Sequence, residues 1–564
     1  MLRLQSHRLT PLVTLSTLRP FHSTPCHHHA TTIVDSLRSN FNAKKQEHIQ
    51  LAKRDRATIL SVTGSCDGLT TRKNYGQGGP SADVYGLGIT SPTEVFINNE
   101  LNLRHVNVYG FDYDYTLANY TDNLSKAIYD ILKDILVDMM RYPKHIKDLQ
   151  FDPTFAIRGL HFDVNKGWLM KIDNYANIQL NTVHLGRMPV NDPEEVIQHF
   201  GGTHISPDYL ANNMFQLSDL FSVPQACLLS DILQYFKEHN ISFHPRYLSD
   251  DVGQAARILH TGSHMDGEFG VGGRLHMAVI DDIAQYLEKS PKLVGFIERL
   301  RKHGKKTFLL TNSSLPFIDQ GMKYLTSNSD WRDLFDAVIV SARKPEFYRS
   351  RRPFRRAQEP TWDSVDVFEP GEVYQGGNLT DFTRLTGWSG QNVLYFGDHV
   401  FSDLIDPIVE QGWRTGAIIH ELDAEIQTRN TASYRHTLAW LIRIENLINE
   451  AQTYYGHEET DGLYSLINEW REQRRQARHE LRNVFNSAFG SVFRTYHNPT
   501  YFAGKIRQFA DIYMSSVTNL DHISMDYVFY PDRTYLPHER LVESLIDTGR
   551  IKELLRSSRH MMIV

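Results

Sequence analysis

A chain of 564 residues is too long for a single compact core, so two or three structural units are expected. Its 41% hydrophobic and 22% charged content is that of a folded globular protein, and a net charge of -6 argues against a general nucleic-acid binder, so no DNA or RNA partner is expected. No uninterrupted apolar run is long enough to span a bilayer, and the scattered Cys26, Cys66 and Cys227 form neither a disulfide framework nor a paired zinc signature, which fits a reducing compartment.

Residues Met1 to Val34 hold no Asp or Glu, while Arg3, Arg8 and Arg19 are scattered among Ser, Thr and Leu. That is the make-up of a mitochondrial transit peptide, with trimming expected between Phe21 and Ala30. Residues 1–30 are therefore read as a leader and the mitochondrial matrix as the expected location, with the cytoplasm as the alternative. An N-terminal extension packing on the core is expected over 31–100: Asp35 to Asp55 has a charged, helix-compatible pattern, and the Gly-rich Gly64 to Gly88 reads as irregular chain. Its glycine words lack the flanking strand and helix of a dinucleotide loop.

The short apolar run His105 to Phe111 ends in two carboxylates one residue apart, Asp112 and Asp114, followed by Thr116. In an extended chain residues i and i+2 share a face, and a buried acidic pair is costly unless a cation or a proton joins it. Almost two hundred residues separate Thr116 from the next comparable strand, far more than a sheet connection needs, so 125–289 is expected to be an inserted cap domain. Within it Leu124 to Arg141 patterns as a helix, Phe155 to Ile172 as a hairpin and Ala211 to His239 as helix.

Three further apolar strands follow: Lys305 to Thr311, continued by Asn312 and Ser313; Asp336 to Ser341, followed by Lys344; and Asn392 to Asp398, followed by Asp403. Each ends in a different polar function, and in open parallel sheets ligands sit beyond the carboxyl ends of the strands. Residues 101–124 with 290–424 are thus expected to form an α/β core with a parallel sheet. The basic run Arg349 to Arg356 sits near its mouth. From 425 to 564 the pattern is mostly helical, with Leu438 to Tyr455 and Leu463 to Phe493 showing apolar residues three and four apart and the mixed-charge Arg471 to Arg482 reading as an exposed helix face.

The order Asp112-x-Asp114-x-Thr116, Thr311, Lys344, Gly397-Asp398 with Asp403 resembles the four motifs of the haloacid dehalogenase-like phosphatases. The words Gly110-Phe-Asp-Tyr-Asp-Tyr-Thr-Leu-Ala118, Thr311-Asn-Ser313, Ala342-Arg-Lys-Pro345, Tyr395-Phe-Gly-Asp-His-Val-Phe-Ser-Asp403, Gly490-Ser-Val-Phe-Arg494 and Leu536-Pro-His-Glu539 resemble the cytosolic purine 5′-nucleotidase family, most closely its 5′-nucleotidase domain-containing branch. The likeness runs from about residue 90 to about 545. It implies a Rossmann-like core with an inserted cap and a helical C-terminal extension that can build a homo-oligomer.

Phosphate ester cleavage needs a nucleophile, charge neutralisation and a proton donor for the leaving oxygen. Asp112 is best placed as the nucleophile, and Asp114 as the acid that protonates the leaving alkoxide and then activates water. Asp112, Asp398 and, as the resemblance implies, the main-chain carbonyl of Asp114 would hold Mg²⁺, a hard cation suited to oxygen donors. Thr311 with the neighbouring Asn312 and Ser313 would bind the phosphoryl oxygens, Lys344 would supply positive charge, and Asp403 would orient the metal's surroundings. In the family a cap helix carries Arg, Asp and His toward a purine nucleotide; here the corresponding residues are Gly253, Arg257 and His260, which exchanges an acceptor for a cation and puts purine selectivity in question. A small phosphate ester, a nucleoside monophosphate first, is the expected substrate. A scaffold that binds a nucleotide without turnover and a phosphotransferase are the other readings.

Overall fold

The computed structural model describes residues 34–50, 53, 90–261, 273–327, 330–358, 362–455 and 461–534. The expected leader, the Gly64 to Gly88 stretch and the Leu536–Glu539 word lie outside the described residues. By internal contacts the chain divides into two units, one formed by residues 1–64 with 436–478 and the other by 65–435 with 479–564.

The larger unit is built on a nine-stranded sheet. Its strands are β1 (Phe96–Ile97), β2 (Val108–Phe111), β3 (Lys306–Leu310), β4 (Ala337–Val340), β5 (Phe354–Arg356), β6 (Val373–Gly376), β7 (Val393–Gly397), β8 (Arg414–Ile418) and β9 (Ile512–Met514). They lie in the order β1-β9-β8-β7-β2-β3-β4-β6-β5, and only the two edge strands β1 and β5 run antiparallel to their neighbours. β2 and β4 are buried at every position, as is β7, which is what near-continuous apolar runs in a sheet covered on both faces should do. The strand pattern read from the sequence is therefore met by four adjacent parallel strands, β7-β2-β3-β4, and the chain has the expected α/β class.

Register brings the strand ends level. Phe396 and Leu309 both flank Phe111, and Leu310 faces Ile339, so residues 112, 311, 341 and 398 leave the sheet along one edge. Between β2 and β3 the inserted segment folds as helices Asp122–Asp134, Ser222–Glu238, Pro245–Thr261 and Arg274–Asp281, together with a five-stranded antiparallel sheet that contains the expected hairpin, His161–Asp163 with Trp168–Met170.

Some elements differ from expectation. The helix expected over Ala211 to His239 is broken: helix Pro207–Asn213 gives way to strand Met214–Gln216, which pairs with His161–Asp163, before Ser222–Glu238 begins. The second long C-terminal helix, Asp461–Asn483, stops ten residues short of Phe493. Phe485, Phe489 and Phe493 consequently do not share one apolar stripe; Phe485 meets Tyr434, and Phe489 packs between Phe155 and His184. The extension expected to be helical from 425 onward returns to the sheet as β9, whose Ile512 and Met514 are fully buried, and Val528–Phe529 pairs with Leu101–Asn102. Residues 34–50 are helical, as the charged pattern of Asp35 to Asp55 predicts, and belong to the smaller unit.

Candidate active site

The turn after β2 carries the two carboxylates. The Asp112 amide donates to the Phe396 carbonyl on β7 at 2.8 Å, which fixes the residue at the centre of the sheet edge. Tyr115 then takes a left-handed conformation (φ 49°), unusual for a bulky side chain, and lets the amides of Leu117 and Ala118 reach the Tyr113 carbonyl, each at 3.0 Å. Asp114 is held from both sides: Tyr120 Oη donates to its Oδ1 at 2.5 Å and Ser313 Oγ to its Oδ2 at 2.6 Å. The hydroxyl of Thr116 is buried without a partner.

Lys344 is placed by the loop after β4. Its backbone is clamped by Asn312, whose Nδ2 donates to the Lys344 carbonyl at 3.0 Å while Oδ1 accepts from the Lys344 amide at 2.6 Å. Ser341 and Arg343 flank it in left-handed conformations (φ 45° and 61°). Its ammonium donates to Asp403 Oδ1 at 2.7 Å and Tyr395 Oη at 2.9 Å, and lies 3.1 Å from Asp112 Oδ1, an ion pair whose alignment falls short of a hydrogen bond. Burial opposes the ammonium charge, but Asp112 and Asp403 outweigh it and hold the pKa above the ordinary lysine value. Thr311 is fully buried, and its hydroxyl accepts from the Ser313 amide at 3.1 Å. The Asn312 side chain is thus spent on the Lys344 loop and Ser313 on Asp114; both sit at the site, with side chains already engaged.

After β7, Asp403 stands directly against Gly397, where any Cβ would collide with the Asp403 side chain. Both of its oxygens are engaged, Oδ1 by Lys344 and Oδ2 by the His399 amide at 3.2 Å. Asp398 is the freer carboxylate. Arg158 Nη1 lies 3.7 Å from its Oδ2 and donates to its carbonyl at 3.3 Å, while the same guanidinium donates to Glu421 at 2.9 and 2.5 Å.

The ligand oxygens of Asp112, Asp398 and Asp403 lie within 4.8 Å of one another, and Asp112 Oδ1 and Asp398 Oδ2 are buried without accepting a hydrogen bond. Burial raises Asp112 to about 7, with Lys344 pulling it down and Asp403 and Asp114 adding to the rise; burial also lifts Asp398 well above the carboxylate range against the pull of Arg158. Two orphaned carboxylate oxygens in an oxygen-only, over-acidic cluster fit a hard divalent cation. Asp112 and Asp398, each with an oxygen that accepts no hydrogen bond, fit it best, while Asp403 borders the same cluster and holds Lys344.

His260, on the cap helix Pro245–Thr261, meets the Phe221 ring edge-on at 5.4 Å, and Phe221 in turn meets Tyr115 and Tyr120. Burial lowers its pKa. Gly253 and Arg257 stand on the same helix, with Arg257 exposed. The basic run near Lys344 is largely neutralised by the chain itself: Arg349 pairs with Asp406 and Glu410, Arg352 with Glu346, and Arg356 with Glu369 and Glu372.

Several neighbours had no sequence signal. Arg158 is one of many cations in the insertion, Tyr395 reads as one more apolar strand residue, and Tyr120 follows the motif without belonging to it. His276, stacked on Phe317 at 4.4 Å and held down to about 4 by burial, adds an uncharged imidazole beside His260.

A model of the 5′ nucleotidase family matches residues 95–541. A 5′-nucleotidase domain-containing protein of Dictyostelium discoideum is 42% identical over 467 residues, covering 81% of this chain and 76% of that one. Human 5′-nucleotidase domain-containing protein 2 is 42% identical over 462 residues, covering 80% and 86%. The solved structure of CbbY from Rhodobacter sphaeroides in complex with phosphate overlaps 56% of this chain and 86% of that one at 9% identity and a TM-score of 0.20, a superposition too loose to bear on the site. With most of its length matched by the family model and by relatives at this identity, the chain belongs to the 5′ nucleotidase family and is an enzyme of the phosphomonoesterase class.

Proposed function

We propose that the protein is a Mg²⁺-dependent phosphomonoesterase of 5′-nucleotidase type, cleaving a nucleoside 5′-monophosphate or a similar small phosphate through a phosphorylated Asp112. The observation that carries this reading is the pairing of two differently held carboxylates: Asp112, with Oδ1 unbonded 3.1 Å from Lys344, and Asp114, gripped by Tyr120 and Ser313.

Asp112 attacks phosphorus and the ester oxygen leaves, taking a proton from Asp114; water, deprotonated by Asp114, then attacks phosphorus and releases Asp112. Lys344 neutralises charge on the nucleophile and the transferring group, and the Thr311 hydroxyl is free to donate to a phosphoryl oxygen. Asp112 and Asp398 fit as the side-chain ligands of Mg²⁺, which would screen the phosphoryl charge and reverse the protonating effect of burial. The aromatic wall of Phe221, His260, His276 and Phe317 supports a flat leaving group such as a nucleobase-bearing alcohol. The acid-free first 34 residues support the mitochondrial matrix as the place of action.

Phosphate release from a panel of nucleoside monophosphates, with and without Mg²⁺, tests the reading. The parent protein is expected to turn over in Mg²⁺ alone, and Asp112→Asn to lose on the order of 10³-fold or more in kcat. Equal release from both proteins refutes the assignment of Asp112, and no release from a folded parent refutes the nucleotidase reading.

A further inference from the structure

The turn that carries Asp112 and Asp114 has a support outside the catalytic groups. β8 runs parallel to β7 with Ala417 level with Gly397, so its chain leaves the sheet along the same edge as Asp398. The Ile419 amide donates to the Met514 carbonyl on β9 at 2.9 Å, and His420 follows as the last residue before helix Glu421–Asn430. The His420 Nε2 lies 3.0 Å from the Tyr115 carbonyl, and the two rings meet edge-on with centroids 5.5 Å apart. A carbonyl only accepts, so Nε2 carries the proton and donates. Burial lowers the His420 pKa, which leaves a neutral imidazole in that tautomer.

Tyr115 is the point of the turn most in need of support. A bulky side chain keeps a left-handed backbone only where its surroundings over-determine it. From Tyr115 the contact reaches Asp114 by two routes. One is the backbone: Tyr115 directly follows Asp114, which closes the turn by a bridge with Ala118. The other is the ring: Tyr115 lies edge-on to Tyr120 at 5.0 Å, and Tyr120 Oη is the donor that grips Asp114 Oδ1 at 2.5 Å. His420 therefore braces both the main chain beside Asp114 and the aromatic pair that orients its carboxylate.

A group that moves a proton in the transition state must sit within hydrogen-bond reach of it, so a small rotation of this turn lowers the rate. We propose that His420 is a positioning residue for the proton transfer: its Nε2–H fixes the Tyr115 turn and thereby aims Asp114 at the ester oxygen, a role that rests on the assignment of Asp114 as acid and base. The contact is direct to Tyr115 and indirect to the reacting atoms, so its loss should weaken proton transfer more than substrate binding.

The leaving group separates aiming from structural support. A nucleoside leaves as an alkoxide that needs the proton of Asp114, whereas p-nitrophenolate leaves without one. The test measures kcat/KM in Mg²⁺ for the nucleoside monophosphate the parent cleaves best and for p-nitrophenyl phosphate, on the full chain, His420→Leu and His420→Gln, with the unfolding temperature of each. His420→Leu fills the space without a donor and is expected to lose about 10-fold or more on the nucleotide and no more than about threefold on p-nitrophenyl phosphate. His420→Gln returns an N–H at the reach of Nε2 and should bring the nucleotide value back to within about threefold of the parent. If His420→Leu does not fold, His420→Asn, too short to reach the Tyr115 carbonyl, takes its place. Equal losses on the two esters, parent-like values in the donor-free variant, or a His420→Gln as impaired as His420→Leu at an unchanged unfolding temperature overturn the inference alone. A folded parent that cleaves no nucleoside monophosphate overturns it together with the nucleotidase reading.

Discussion

Asp112 is asked to be an anion in a place where burial resists one. Its folded pKa of about 7 lies above the ordinary carboxylate value, with desolvation the leading cause, so between the two values the folded state holds a proton that the unfolded chain releases. The sign follows: in metal-free protein this group costs stability above pH 7, the cost fades as pH falls through the folded value, and it is gone below the unfolded one. Metal-free protein should therefore gain about 1 kcal/mol from Asp112 between pH 8 and pH 6. Added Mg²⁺ should stabilise more at pH 8 than at pH 6, because it binds the carboxylate that burial penalises. Urea unfolding at both pH values, with and without Mg²⁺, checks this, and Asp112→Asn should shrink both differences to the share that the likewise buried Asp398 contributes. A Mg²⁺ stabilisation that is the same at the two pH values, or pH differences undiminished in Asp112→Asn, would contradict it.

Among the elements, the turn leaving β7 sets the tightest tolerance. Gly397 lacks a side chain where the Asp403 carboxylate passes, and Asp403 in turn grips Lys344 at 2.7 Å. Gly397→Ala is expected to push Asp403 aside, release Lys344 and lower kcat/KM by about 10–100-fold, with a stability loss of about 1–3 kcal/mol. Steady-state kinetics with denaturant unfolding reads both, and activity within twofold of the parent would show that Asp403 does not set the lysine. The sequence made this edge legible because β2, β3, β4 and β7 are four or five residues long, almost wholly apolar, and each ends in a distinct polar group. It left β9 illegible for the opposite reason: Ile512 to Met514 is three residues, and helix-spaced apolar positions surround it. The cap sheet was hidden likewise, since its strands are two or three residues long and only one pair alternates clearly. Arg158 could not be found at all, because a buried guanidinium and a solvated one are the same letter until the chain folds.

At the scale of the whole molecule, the two units concentrate different chemistry. Every group assigned to the candidate active site, from Asp112 to Glu421, belongs to the larger unit. The smaller unit is organised around stacked aromatics instead: Phe41 lies against Trp470, centroids 5.0 Å apart and 15° between planes, and edge-on to Trp440 at 5.5 Å, while Arg474 and Arg478 share Glu445 at 2.7 and 2.9 Å. Trp470 is fully buried, so Trp470→Ala should cost about 3–5 kcal/mol in the stability of that unit. If the units unfold as separate cooperative blocks, thermal unfolding of the variant should show an early transition absent from the parent, while kcat/KM at a temperature below that transition stays within twofold. The two-state limit gives the opposite result, a single transition lowered as a whole. A fall in kcat/KM while the larger unit remains folded would mean that the smaller unit, despite holding none of the catalytic groups, helps to set their geometry.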